Sequence, residues 1–230
     1  FVRHVREREA LDPHEARVTR VRDRDRLAVG SGQDLHPERQ LDRVAHGYRY
    51  NFTSDPLEEL TELVANQCGP GYERMIFTTG GSEAVESALK VALHFHTAND
   101  EPSRRRFIAR RRSWHGNTLG ALSVSEFKER RDPFEGALIP VSHLSPVNIY
   151  RPPAGVAPAQ VAQHCAQELE EEILRLGARN VAAFIFEPVV GAAGGALPAP
   201  EGYARAVAEV CRRHGVLMIC DEVMCGSGGT

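Results

Sequence analysis

The run Val181-Ala182-Ala183-Phe184-Ile185-Phe186 constrains the fold more than any other stretch of the sequence. Six consecutive apolar residues leave no polar face, as in a strand covered on both sides, and such strands belong to parallel sheets packed between helices. Its surroundings agree. Val161, Cys165, Leu169 and Ile173 recur at four-residue steps ahead of the run, which predicts a long amphipathic helix. A second helix is expected from Glu201 to His214, leading into the apolar segment Val216 to Cys220. Upstream, Met75 to Thr78, Phe107 to Ala109 and Ala137 to Val141 read as short strands. A helix with Ala84, Val85, Ala88, Leu89, Ala92 and Leu93 on one face follows Gly80-Gly81-Ser82. Another starts at Asp55-Pro56-Leu57-Glu58, with Asp55 as the expected cap and Pro56 at the first helical position. Strands alternating with helices specify an α/β domain around a mostly parallel sheet.

Ahead of this alternation the pattern is weak. Residues 1 to about 50 are polar and rich in Arg, Asp and His, with Val18 and Val21 in a candidate short strand and loops at Gly30, Gly32 and Pro37. We therefore read residues 1–53 as an arm and 54–230 as the α/β domain. Over 230 residues, 42% hydrophobic and 26% charged composition excludes wholesale disorder. A net charge of −3 supplies no field for nucleic acid or an anionic membrane surface. The arginine clusters Arg104 to Arg106 and Arg110 to Arg112 read as solvated strand ends. No apolar run approaches the roughly 20 residues of a membrane span, and the charged, Arg-rich start after Phe1 does not resemble a signal peptide. A first residue other than Met suggests part of something longer. The five scattered cysteines read as reduced thiols in a cytoplasmic protein. His94 and His96, two apart on a helix, do not share a face, so no metal site is expected.

Four features lie just past the carboxyl ends of expected strands: Gly80-Gly81-Ser82, Trp114-His115-Gly116, Glu187-Pro188 and Asp221-Glu222. That edge of an open α/β sheet is where ligands bind. The glycine pair opening a helix suits either an anion, held by free backbone N–H groups, or simply a tight turn. Trp114, the only tryptophan, is either a core filler or a stacking platform. Asp221 follows five apolar residues, so its carboxylate needs a partner: a helix end, an arginine, or a protonated ring nitrogen.

Taken in order, Phe77-Thr78-Thr79-Gly80-Gly81-Ser82-Glu83-Ala84-Val85-Glu86, Trp114-His115-Gly116-Asn117-Thr118, Phe186-Glu187-Pro188-Val189 and Asp221-Glu222-Val223 resemble the class III aminotransferases, pyridoxal 5'-phosphate (PLP) enzymes of fold type I. The likeness runs from about Tyr48 to the end. It implies the aspartate aminotransferase-like large domain, a mostly parallel sheet flanked by helices, here incomplete at its C-terminus. By this resemblance Gly81 and Ser82 bind the cofactor phosphate, Trp114 stacks on one face of the pyridine ring and Val223 packs on the other. His115 walls the site. Asp221 pairs with the ring nitrogen, and Glu187 positions Asp221 or the cofactor hydroxyl. A carboxylate at the ring nitrogen keeps it protonated, which makes the ring a better electron sink. The implied reaction moves an amino group from an amine or amino acid to a 2-oxo acid, in a homodimer.

Departures from the family pattern matter as much. Only Lys90 and Lys128 among the 28 basic residues are lysine, and neither matches the family's Schiff-base lysine. No catalytic residue is therefore expected in this chain, which reads as a truncated enzyme or as an inactive remnant acting through PLP or partner binding. A nucleotide-binding α/β protein is a third reading that lacks the motifs. Ala192 stands where several members carry a second glutamate, which leans away from the ornithine and 4-aminobutyrate types. The tail Cys225 to Thr230 lacks an arginine common there, and the region around His36-Pro37-Glu38 looks shortened.

Overall fold

Four parallel strands form the main sheet: β4 (Arg106–Arg110), β5 (Val141–Leu144), β6 (Val181–Phe186) and β9 (Leu217–Cys220). They stand in the order β9-β6-β4-β5, and β1 (Val2–Arg3) pairs antiparallel on the outer edge of β9, while β7 (Val189–Val190) and β8 (Leu197–Pro198) form a separate antiparallel pair. The computed structural model describes residues 2–3, 19–21, 41–42, 52–72 and 74–226. Its backbone divides into two units, Phe1–Arg6 with Ile76–Thr230, and Glu7–Met75.

Both faces of the sheet are covered, as the unbroken apolar run requires. One layer holds Ile108, Val181, Phe184, Phe186 and Met218 against α5 (Val161–Leu176) and α6 (Tyr203–His214). The other holds Phe107, Ala109, Ile185, Leu217 and Ile219 against α2 (Gly81–Ala98) and α3 (Leu119–Val124). The alternation follows from the two-residue period of a strand. It slips once. Arg106 pairs with Val181 but Phe107 with Ala183, so Ala182 is an extra residue, and Ala182 and Ala183 both join the second layer. Such a bulge strands backbone groups. The imidazole Nε2 of buried His96, at the end of α2, lies 2.9 Å from the Ala182 carbonyl and satisfies it. Arg104 does similar work one strand end away, donating to the carbonyls of Ala178, Val181 and His214.

Four sequence expectations need correction. Arg104 and Arg110, at either end of β4, are not solvated but buried and hydrogen-bonded, Arg110 to the Tyr203 hydroxyl and the Cys165 carbonyl. Met75 to Thr78 forms no strand: the segment is irregular, with Ile76 and Phe77 exposed. A strand exists only where a neighbour takes its backbone hydrogen bonds, and no described strand pairs with this one. The segment Asp132–Ala137 is a 3-10 helix and β5 begins only at Val141. Pro140 has no N–H to give a ladder, so pairing with β4 starts one residue later, at Phe107 with Val141. The helix α1 (Asp55–Cys68) is capped at Ser54 and not Asp55, with Asp55 and Glu58 in its first turn where the helix dipole favours acids.

In the second unit, β2 (Thr19–Val21) pairs parallel with β3 (Phe52–Ser54), which runs into α1. Val21 lies in the strand expected there; Val18, the loops at Gly30, Gly32 and Pro37, and the His36 region lie outside the described residues, as do residues 227–230. Among the described residues no helix is long and apolar enough to cross a membrane.

Candidate functional site

Three of the four expected features do sit at the carboxyl ends of parallel strands. Trp114 and His115 follow β4, Glu187 follows β6 and Asp221 follows β9. Because β4, β6 and β9 are adjacent and parallel, their last residues bring these loops to one edge. The Asp221 N–H donates to the Phe186 carbonyl at 2.9 Å, extending the ladder by one bond and bringing Asp221 beside the start of the Glu187 loop.

Asp221 is buried, and its partner is His115: Nδ1 lies 2.7 Å from Oδ2, with the imidazole side chain fully enclosed. With Asp221 as the carboxylate, Nδ1 carries the proton. The second oxygen, Oδ1, accepts from the Val223 N–H at 3.1 Å. His115 is itself anchored through its backbone N–H, which donates to the hydroxyl of buried Ser125 at 2.8 Å. No arginine pairs with Asp221 among the described residues.

Glu187 is buried as well, and its carboxylate binds two backbone N–H groups. Its Oε1 accepts from the Trp114 N–H at 2.9 Å and its Oε2 from the Gly191 N–H at 3.0 Å. It therefore fixes the Trp114 loop and its own turn, while His115 and the Val223 N–H hold Asp221. Burial pushes the Glu187 carboxyl above its ordinary value; the bonds from Gly191 and Trp114 and the nearby His115 oppose that shift, and Asp221 adds to it. Trp114 is half-buried, with the guanidinium of Arg130 over its ring at 4.8 Å and 5.5 Å from the Phe127 ring. That cation–π contact joins residues 16 apart and left no periodic or spacing signal in the sequence.

The glycine pair reaches the same place without a preceding strand. The first intrahelical bond of α2 runs from the Ala84 N–H to the Gly80 carbonyl, so the N–H groups of Gly81, Ser82 and Glu83 lie ahead of the ladder. Glu83 turns back to accept from the N–H and hydroxyl of Thr79, at 2.8 and 2.6 Å, which closes the helix start. Gly81 abuts Val223: an added Cβ would sit 2.8 Å from Val223 Cγ1. Ser82 Oγ accepts from the Asn117 N–H at 2.9 Å, and its own proton is still available to donate. Gly116 makes this crossing feasible, because it has φ +138° and an added Cβ would lie 2.6 Å from Ser82 Oγ. Glu86 completes the junction by accepting from the Thr118 hydroxyl and the Ala121 N–H at the start of α3. Gly81, Ser82, His115, Asp221 and Val223 are thus joined by contacts, hydrogen bonds or chain adjacency, and Trp114, next to His115 in the chain, brings in Glu187.

Such a junction combines helix-end N–H groups, a hydroxyl, a flat aromatic and a buried carboxylate, in the order carried by one known family. A profile of the family described as aminotransferase class-III matches residues 37–230. The chain belongs to the class-III aminotransferases. The uncharacterized aminotransferase YodT of Bacillus subtilis (strain 168) is 41% identical to this aminotransferase chain over 191 residues, covering 83% of the chain and 43% of YodT. The adenosylmethionine-8-amino-7-oxononanoate aminotransferase of Geobacter sulfurreducens is 36% identical over 192 residues, 83% of the chain and 42% of that protein. Among solved structures, an amine transaminase from an uncultivated Pseudomonas species in its PLP-bound form is 39% identical, with a TM-score of 0.64 over 72% of this chain and 37% of that one. The chain spans about two-fifths of the length of the curated relatives it matches. The α/β fold with its parallel sheet between helices is the fold of these transaminases over the matched part.

Proposed function

We infer that this chain supplies the large-domain cofactor cradle of a PLP-dependent aminotransferase. On this reading residues 1–53 form the arm and 54–230 the cofactor-binding domain. One observation carries it: a buried Asp221 held by His115 at 2.7 Å, at the edge where β4, β6 and β9 end. The residues present fit the group. A phosphate suits the N–H groups at the start of α2 together with the Ser82 hydroxyl, where the helix dipole favours an anion. A flat ring suits Trp114 on one side and the exposed Val223 methyls on the other. A protonated ring nitrogen suits a carboxylate whose own hydrogen bonds leave lone pairs unused.

PLP, when bound, withdraws electrons from the substrate carbon. This chain's residues orient and tune. His115 donates Nδ1–H to Asp221 and keeps the carboxylate in one rotamer, and the Val223 N–H steadies its second oxygen. Asp221 then holds a proton at the ring nitrogen, which strengthens the sink. Glu187 sets the height of Trp114 through its backbone, and the Trp114 indole excludes water from one ring face. Lys90 and Lys128, both exposed on α2 and on α4 (Lys128–Arg131), are neither of them the reacting amine. The substrates are an amino donor and a 2-oxo acid acceptor, and the working unit is a homodimer in the cytoplasm.

Equilibrium dialysis of the chain against PLP tests this reading. Saturable one-to-one binding that Asp221→Ala weakens on the order of 100-fold, while Lys90→Arg and Lys128→Arg leave it intact, is the expected result. A folded chain that takes up no PLP would overturn it.

A further inference from the structure

A second concavity opens past the carboxyl ends of β4, β5 and β6, on the face of the sheet that carries α5 and α6. Its volume is about 500 Å³ with the solvent at its mouth included. The β7–β8 pair walls it through Val190 and Leu197, and Val147 and Phe186 extend the apolar lining. Of the residues assigned to the cofactor cradle, only Glu187 reaches this cleft.

A count of donors makes the cleft specific. Arg110, 4% exposed at the end of β4, and Tyr203, 1% exposed at the start of α6, both line it. The Arg110 Nε–H donates to the Tyr203 hydroxyl at 2.9 Å. A guanidinium has five N–H groups, and Arg110 makes four bonds: to Tyr203, to the carbonyls of Ser145 and Cys165, and to Glu168. One N–H is left. The Tyr203 hydroxyl accepts from Arg110 but donates to no described residue, and burial pushes the phenol well above its ordinary value, so it keeps its proton. Two touching, buried side chains thus each retain one donor, and a buried donor without an acceptor is costly. A third donor lies beside them on the lining. Asn148 accepts the N–H groups of Tyr150 and Arg151 through its side-chain oxygen, at 2.9 and 3.0 Å, which leaves its amide N–H groups without a described partner. Arg111 and Arg112, also on the lining, are exposed and have no ion pair among the described residues. The carboxyl of Glu187 already accepts two backbone N–H groups. Spare donors and positive charge beside apolar walls are the complement of an anion with an apolar tail.

We propose that this cleft binds a short-chain aliphatic carboxylate, held by the Tyr203 hydroxyl, the remaining Arg110 N–H and the Asn148 amide, with its tail against Val147, Val190 and Leu197. The two carboxylate oxygens meet the two buried donors, and the charge of Arg111 and Arg112 draws the anion to the mouth through a field that salt screens. The site is separate from the cradle around Asp221 and does not rest on the PLP reading.

Saturation-transfer NMR of the chain, with isobutyrate as the probe, tests this. Isobutyrate should bind saturably with a Kd on the order of 1 mM, and isobutyramide, its uncharged counterpart of the same shape, about tenfold more weakly. Tyr203→Phe removes the hydroxyl and keeps the ring, and should weaken isobutyrate about tenfold. Asn148→Asp keeps the oxygen that holds the Tyr150 and Arg151 N–H groups and replaces the amide donors with a negative charge, so it should abolish binding in a chain that still melts cooperatively. That variant guards against a Tyr203→Phe chain that does not fold. Arg111→Gln, which breaks no ion pair, should cost about threefold, and added salt should shrink that difference. Asp221→Ala, in the other site, should leave isobutyrate binding unchanged. A signal linear in isobutyrate, equal affinity for isobutyramide, or binding that survives both Tyr203→Phe and Asn148→Asp would overturn the proposal.

Discussion

At the strand ends, Asp221, His115 and Glu187 are buried and tied by side-chain hydrogen bonds of 2.7 to 3.1 Å. At the helix end, Gly81 and Ser82 are only half-buried and depend on close packing with Val223 and Gly116. The first region is set before any ligand arrives, since both carboxylates are already held by hydrogen bonds. The second offers backbone donors whose bonds are left for solvent or an anion. One half of the cradle therefore contributes geometry fixed by polar bonds, and the other contributes space that only glycine leaves open. Substitutions should separate the two.

The largest effect belongs to the strand ends. Asp221→Ala removes a buried charge and strands the His115 N–H, so PLP affinity should fall on the order of 100-fold. Equilibrium dialysis reads this, and a loss under threefold would show that the carboxylate does not contact the ring. At the helix end the expected cost is steric. Gly81→Ala places a methyl 2.8 Å from Val223 Cγ1, so affinity should drop about tenfold from overpacking. Val223→Ala in the same chain should recover most of it. No recovery would mean that the glycine serves the backbone alone.

Glu187 gives a pH signature. Its carboxyl is raised above the ordinary 4.5 by burial, so the folded state holds the proton more tightly than the unfolded one. The stabilisation from the bound proton is complete below about 4.5 and is lost as pH rises through the folded value. Glu187→Gln removes that dependence at the cost of one acceptor for two N–H groups. Melting temperatures of the two chains should therefore diverge in the variant's favour as pH rises from 4.5, then run parallel. A difference constant in pH would place the carboxyl in a wetter setting than the structure does. Arg130→Ala is the smallest case. Loss of an exposed cation–π contact over Trp114 should weaken PLP binding by roughly twofold to fivefold.

Legibility in the sequence followed the range of the interaction involved. Val181 to Phe186 revealed a doubly covered strand, because burial on two faces leaves a local mark. The four-residue steps of Val161 to Ile173 gave α5 for the same reason. Met75 to Thr78 carried the composition of a strand but not its neighbour, and pairing is a long-range fact. The site residues were recognisable as motifs, yet their pairings were not. Nothing near Asp221 in sequence points to His115, 106 positions away, or assigns Glu187 to the Trp114 backbone. The Glu187–Gly191 and Asp221–Val223 bonds, four and two residues apart, are local by comparison.

Trp114 is the only tryptophan in the chain, so its fluorescence reports on the stacking face without interference. Titration of the chain with PLP, following Trp114 emission, tests the cradle most directly. The account requires saturable quenching in the wild-type chain, with the midpoint shifted on the order of 100-fold in Asp221→Ala. Quenching that is linear in PLP, or equal in the two chains, would contradict a site in which Trp114 and Asp221 hold the same ring.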